Sequence, residues 1–263
     1  KLGEAAQALY RFFWTELCDW YIELCKPQLS PGEGASAEAR ERQRATQGTL
    51  AHVLETAMRL LHPFIPFITE EIWVRLPRPS GSPASCVITM YPTAEEGLVD
   101  SEAERVMGIV QTSVSAIRAL RSSYNVTGGR PEFVIKTADE AVRRALVEHR
   151  GLVELLTRAQ LTDVVEEYPS TTGVIANVVE GQTVLLLHAD ELIDVPAEQG
   201  RLGKEQQKLD KELAGLRGRL GNEDFVKRAK PEVVEQNRAR VTELEQRLQE
   251  LARQLQALAG LRG

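Results

Sequence analysis

Apolar residues recur every three or four positions through most of this chain, and at alternate positions in one part only. Leu2, Ala6, Leu9, Phe13, Leu17, Tyr21 and Leu24 fall on one face of a first helix, residues 1–26, which Lys26-Pro27 ends. The pattern lapses over 30–44 (SPGEGASAEARERQR), which predicts a mobile loop or a frayed helix start. A second helix, about 45–62, turns Leu50, Val53, Leu54, Ala57, Met58, Leu60 and Leu61 inward. His62-Pro63 stops it, because the residue before proline is pushed away from the αR region. Pro66 suits the first turn of a third helix, which stops before Pro77. LHPFIPFITEEIW (61–73) therefore predicts a tight helix corner clad in Phe64, Phe67 and Trp73. Ile65, Ile68, Ile72 and Leu76 keep helical spacing there, and Glu70 and Glu71 are placed close to the positive helix end.

Beyond a loop at 78–85 (RPSGSPAS), VITMYP at 87–92 predicts a short extended piece. A long helix follows over about 100–123, with Val99, Ala103, Val106, Ile109, Val110, Val114, Ile117 and Leu120 on one stripe. The period then changes. FVIKT (133–137), LTDVVEEY (161–168), GVIANVV (173–179) and QTVLLLH (182–188) predict strands. Helices at about 139–149 and 151–159 separate the first two, and Glu180-Gly181 makes a two-residue hairpin turn between the last two. From about Ala197 the spacing is heptad-like: Leu202, Gln206, Leu209, Leu213, Leu216 and Leu220, then Val234, Asn237, Val241, Leu244, Leu248, Leu251, Leu255 and Leu258. Two such runs around Gly221-Asn222 predict an antiparallel coiled-coil hairpin with arms of roughly 35–40 Å and a mobile tip. The expected fold is mainly α with a small α+β module. A helical bundle covers 1–95, the α+β module 96–195 and the hairpin 196–263.

Composition narrows the function classes. No apolar run approaches the ~20 residues of a membrane helix, and the opening residues form an amphipathic helix rather than a signal peptide. Cys18, Cys25 and Cys86 lack a CxxC or a nearby histidine, so buried thiols in a reducing, cytoplasmic setting are expected, with no metal. His52, His62, His149 and His188 form no ligand group, and Gly128-Gly129 carries no phosphate-loop lysine. The chain offers no nucleophile–base pair. Its net charge is −6, yet residues 196–263 hold 14 Lys and Arg against 11 Asp and Glu. The segment is thus basic on an acidic body, which confines any polyanion contact to the C-terminal arm. Arg217, Arg219, Lys227, Arg228, Lys230, Arg238 and Arg240 gather around the hairpin tip; a solvated coiled-coil surface would give the same pattern.

The 61–73 string resembles the corner in the anticodon-binding bundle of class I aminoacyl-tRNA synthetases of the valyl, isoleucyl and leucyl group. CDWYIELCKPQL (18–29) resembles the preceding helix of the valyl members. ELIDVPAEQGRLGKE (191–205) and GRLGNEDFVKRAKPEVVEQNRAR (218–240) resemble their C-terminal arm. Departures are Arg228-Ala229-Lys230 before Pro231 where the family usually has Lys-Ala-Pro, Tyr91-Pro92 for Trp-Pro, and Ser122-Ser123 at an often acidic site after Arg121. The likeness covers nearly the whole chain and is thinnest over 130–190. It implies tRNA as partner, with the bundle on the anticodon stem-loop and the arm on the outer corner of the tRNA. The tip cations would then meet phosphates, and Arg118 and Arg121 would lie nearer the anticodon, where surface arginines are an equal reading.

The resemblance also implies a whole enzyme that joins valine to tRNA with ATP and Mg²⁺. HIGH-type and KMSKS-type motifs are absent here, so a C-terminal piece without catalysis or cofactor of its own is expected. Family bundles have helices upstream of CDWYIE, which predicts an exposed apolar strip on helix 1–26. The expected protein is monomeric and binds neither membrane nor DNA. The alternatives are a coiled-coil protein-interaction module, or the matching part of a leucyl or isoleucyl enzyme; the missing cysteine cluster disfavours the isoleucyl kind.

Overall fold

The computed structural model describes residues 1–94, 96–169 and 173–261. It has two compact units, Lys1–Asp100 and Ser101–Gly263. The boundary expected at Glu95 lies outside the described residues, and the arm expected as a separate domain belongs to the same unit as the α+β module.

The first unit is helical. Helix α1 (Leu2–Arg11) runs through a π-helical stretch (Phe12–Tyr21) into α2 (Ile22–Leu29). Pro27 sits inside the last turn of α2 instead of ending the helix before it, so the rod is three residues longer than expected. Helix α3 (Ala37–Leu61) also starts early. Ser36 accepts the Ala39 N–H at 3.2 Å, and this N-cap makes ordered helix of most of the expected loop. Gln43 Nε2 donates to the Leu29 carbonyl at 2.8 Å and Thr46 Oγ1 to Gln28 Oε1 at 2.6 Å, which ties the two helices across their short connection.

Helix α4 (Pro66–Trp73) opens with its proline in the first turn, and the corner has the expected backbone. Thr69, fully buried, donates Oγ1 to the carbonyls of Ile65 and Pro66 at 3.0 Å and lies 2.8 Å from His62 Nδ1. Trp73 anchors the core with Ala57, Met58 and Cys86, its Nε1 donating to the Pro83 carbonyl at 3.2 Å. The Arg78 guanidinium lies 4.7 Å over its ring. Glu70 and Glu71 are beyond the first turn, contrary to the reading from the helix dipole. Glu70 instead accepts the Cys86 N–H at 3.0 and 3.2 Å, and Glu71 pairs with Arg75. That bond holds a 3₁₀ turn, Cys86–Ile88, where an extended piece was expected. The corner is also less clad than its sequence suggested. Phe67 is 91% exposed, Ile65 and Ile68 are exposed, and Tyr10 and Trp14 stand out from the first helix. The expected apolar strip is thus present at Tyr10 and Trp14 but not at Leu17, which is buried. Tyr10, Trp14, Leu61, Phe64 and Ile68 line a groove of about 400 Å³.

In the second unit, α5 (Ser101–Ser123) carries the predicted stripe from Val110 to Leu120 into the core, although Val99 lies ahead of it and is exposed. Strands β1 (Glu132–Lys136), β2 (Gln160–Val165), β3 (Ile175–Val179) and β4 (Gln182–Leu186) form one sheet in the order β2-β1-β4-β3. β1 and β2 are parallel, with a register shift between Phe133 and Val134; the other pairs are antiparallel. Helices α6 (Glu140–Glu148) and α7 (Arg150–Thr157) supply the crossover that a parallel pair needs. Glu180 and Gly181 both have positive φ, the signature of a type I′ hairpin turn. α5 packs against β3 and β4, and a buried bond from Ser113 Oγ to Gln182 Oε1 at 2.6 Å pins it there. A one-turn helix α8 (Ala189–Leu192), not foreseen in the pattern, leads into the arm.

The arm is α9 (Val195–Leu220), α10 (Glu223–Arg228) and α11 (Pro231–Gly260). α9 and α11 pack as an antiparallel pair. Every predicted seam residue is buried or half-buried, with Leu202, Leu251 and Leu258 fully out of solvent.

Candidate nucleic-acid interface

The tip of the arm is built by local backbone chemistry. Gly221 N–H bonds the Arg217 carbonyl at 2.8 Å and closes α9. The Asn222 side chain then accepts the Phe225 N–H at 3.2 Å, starting α10, a short helix absent from the sequence reading. Ala229 N–H bonds the Phe225 carbonyl at 2.8 Å, Lys230 is extended before its proline, and Pro231 opens α11. Arg217, Arg219, Lys227, Arg228 and Lys230 are therefore carried by three successive helix ends, whereas Arg238 and Arg240 lie about two turns into α11.

Their partners divide them. Arg217 reaches across the hairpin to Glu245 at 2.7 Å. Arg240 reaches across to Glu212 at 2.9 Å and along its own helix to Glu243, and these carboxylates raise its pKa further. Arg238 lies 3.9 Å from Glu235. Arg219, Arg228 and Lys230 are exposed and have no ion pair among the described residues. Lys227 is exposed beside them. Nearer the root, Arg247 crosses to Glu205 at 2.8 Å.

Arg118 and Arg121 have other work. Arg118 donates Nε and Nη2 to the Leu156 carbonyl at 3.1 and 2.8 Å. Arg121 donates to the carbonyls of Thr157 at 2.5 Å, Val126 at 3.2 Å and Arg158 at 3.3 Å. Both guanidinium groups thus satisfy the last carbonyls of α7, which ends at Arg158 in the left-handed region. The structure does not bring them to the tip cations; it places them inside the α+β module as helix clamps.

Residues 1–136 match the family described as the anticodon-binding domain of tRNA ligase, and residues 194–259 match the valyl tRNA synthetase tRNA binding arm. The chain belongs to the anticodon-binding family of tRNA ligases. Among its relatives, a valine–tRNA ligase of Symbiobacterium thermophilum is 38% identical, over 100% of this chain and 30% of that protein. One of Caulobacter vibrioides is 39% identical over 99% of the chain and 28% of that protein. One of Nitratidesulfovibrio vulgaris is 35% identical over 93% and 27%. The chain thus spans under a third of the length of these curated relatives.

The arm match begins at Asp194, the residue whose carboxylate accepts the Ala197 N–H at 3.1 Å and caps α9. The anticodon-binding match runs past the first compact unit, through α5 to the end of β1. Cys25 and Cys86 are buried and Cys18 half-buried, with burial the main cause raising all three thiol pKa values. Among the described residues no three His, Cys, Asp or Glu side chains come together as a metal group, and no helix is long and apolar enough to cross a membrane.

Proposed function

We propose that this chain is the tRNA-gripping C-terminal part of a valine–tRNA ligase. The helical unit holds the anticodon stem-loop and the arm lies along the tRNA elbow. ATP- and Mg²⁺-dependent joining of valine to tRNA takes place in parts of the enzyme beyond this chain. The observation that carries this reading is the match of both the anticodon-binding and the arm families, in the order of the two structural regions.

The arrangement of cations supports a phosphate contact at the tip. Arg219, Arg228 and Lys230 face solvent without carboxylate partners among the described residues, so meeting a phosphate breaks none of the ion pairs described for the arm. Phosphate contacts position without reading sequence. The first unit holds 9 Lys and Arg against 13 Asp and Glu over residues 1–100, a balance suited to base and shape contacts rather than phosphates. Discrimination among tRNAs therefore belongs to the helical unit. The rival reading, a coiled coil open to another protein's helix, loses ground because the hairpin closes its own seam.

Changing Arg219, Arg228 and Lys230 together to glutamate is the test. Helix content should stay unchanged, while affinity for tRNA falls and the log–log salt slope flattens by about 0.7–0.9 per lost phosphate contact. Valine tRNA and other tRNAs should lose equally. An unchanged slope in fluorescence titrations returns these residues to a solvated surface, and a loss confined to valine tRNA would mean that the arm reads sequence.

A further inference from the structure

Two ion pairs across the hairpin stand in strict register. Glu205 pairs with Arg247 at 2.8 Å and Glu212 with Arg240 at 2.9 Å, seven residues apart on each helix. Such flanking pairs fix the alignment of a coiled coil. One heptad further toward the root, the same positions are Glu198 and Gln254. Both are buried, at 6% and 7% exposure, and Gln254 Oε1 has no hydrogen-bond partner among the described residues. The ladder therefore loses its arginine at the rung nearest the α+β module.

The Glu198 carboxylate is not left alone. Arg201, one turn along α9, grips both its oxygens, with Nε 3.0 Å from each and Nη2 2.5 Å from one. The same Nη2 donates to the carbonyl of Ser123 at 3.2 Å, and Nη1 lies 3.4 Å from Glu205, the carboxylate of the next rung. Ser123 is the last residue of α5, so a cation meets a helix C-terminus, where the dipole favours it. Tyr124, next in the chain, is buried, and burial with the Glu198 and Glu250 carboxylates pushes its phenol up to about 12. Arg201 of α9 thus touches the end of α5, and carboxylates of both arm helices act on the phenol beside it.

We propose that Arg201 is a positioning residue for the arm: it holds Glu198 at the rung that lacks a cross-hairpin arginine, joins it to Glu205 of the next rung and ties the arm root to the Ser123 carbonyl, setting the angle at which the arm leaves the α+β module. Gln254 is the permissive partner, since an arginine there would compete for the same carboxylate. The consequence for tRNA rests on the function proposed above; the geometry does not. With the angle fixed, the tip cations reach their phosphates without ordering the arm first.

The test uses the full chain with nitroxide labels at Gly218 on the arm and Glu148 in the module, read as a distance distribution without tRNA. The wild type should give one narrow distance. Arg201→Ala should broaden it, and Arg201→Lys should restore most of the narrowness. Gln254→Arg should also broaden it while raising the melting temperature, because it completes the ladder at the anchor's expense. Loss of an ordinary packing contact would broaden the distance and lower the melting temperature instead. An unchanged distribution in Arg201→Ala overturns the proposal, and an unchanged one in Gln254→Arg overturns the sharing of Glu198. If the chain binds tRNA, both variants should bind roughly three- to tenfold more weakly. If wild-type chain binds no tRNA, the functional reading fails while the label distances still decide the anchor.

Discussion

The arm and the helical unit treat their side chains in opposite ways. In the arm, Leu202, Leu213, Leu244, Leu251 and Leu258 are buried, and Arg217, Arg240 and Arg247 each pair with a carboxylate of the opposite helix. In the helical unit, Tyr10, Trp14, Phe67 and Met90 stand in solvent while Trp73 is 1% exposed. A two-helix hairpin has only itself to pack against, so apolar spacing translates directly into burial. A helix corner has several sides, and spacing says which face is apolar without saying whether anything covers it.

The sharpest way to break that contrast is Trp73→Ala. It removes the ring that joins α3, α4 and the Pro83–Cys86 segment, and should cost the first unit about 3–5 kcal/mol. Calorimetry should show one transition lowered and the transition of the second unit unmoved; a joint shift would mean that the two units melt together. Next comes Leu251→Ala in the seam, with an expected loss of about 2–5 kcal/mol confined to the second unit. Denaturant unfolding followed by circular dichroism checks it, and a negligible change would show that the hairpin repacks freely.

A smaller effect concerns pH. The Tyr124 phenol is raised from its usual 10 to about 12, chiefly by burial. Stability from this group is complete below pH 10, where it is neutral folded or unfolded. It is lost as pH rises toward 12, because the unfolded chain ionises first. Tyr21 is raised in the same direction in the first unit, again chiefly by burial. Unfolding midpoints should fall between pH 10 and 12, and Tyr124→Phe should remove the part of the slope belonging to the second unit. The smallest effect expected is Phe67→Ser, within about 0.5 kcal/mol, since its ring covers nothing. A thermal shift assay showing strong destabilisation would mean that the ring is packed after all.

Much of this was legible in the sequence. The seam, the four strands, the Glu180-Gly181 turn and the Pro66 helix start each follow from a local rule, and the structure keeps them. Features set by single polar side chains were not. Ser36 starts α3 inside a stretch that composition alone assigns to loop, and Asn222 starts α10 where only a break was visible. Glu70 left the helix dipole for the Cys86 N–H sixteen residues away, a long-range bond that no spacing announces. The tip cations could be located from the sequence but not sorted, because their partners lie on the other helix. The partners of Arg118 and Arg121 were hidden for the same reason: the carbonyls of Leu156 and Thr157 that they hold belong to α7, more than thirty residues on.

The π-helical stretch from Phe12 to Tyr21 has an evolutionary side. Its bonds span five residues rather than four, so it holds more chain per turn than the helices on either side. The buried pair on this rod is Leu17 and Cys25, eight residues apart where two ordinary helical turns take about seven, as though one residue had been slipped into the rod. Such a stretch is a reserve of length. Removing one residue from it should tighten it toward ordinary helix, whereas the same deletion in α3 would rotate every later side chain off its face. A deletion scan read by folding yield should therefore find residues 12–21 the most forgiving part of a long helix, a place where homologous chains can gain or lose a residue without rebuilding the core.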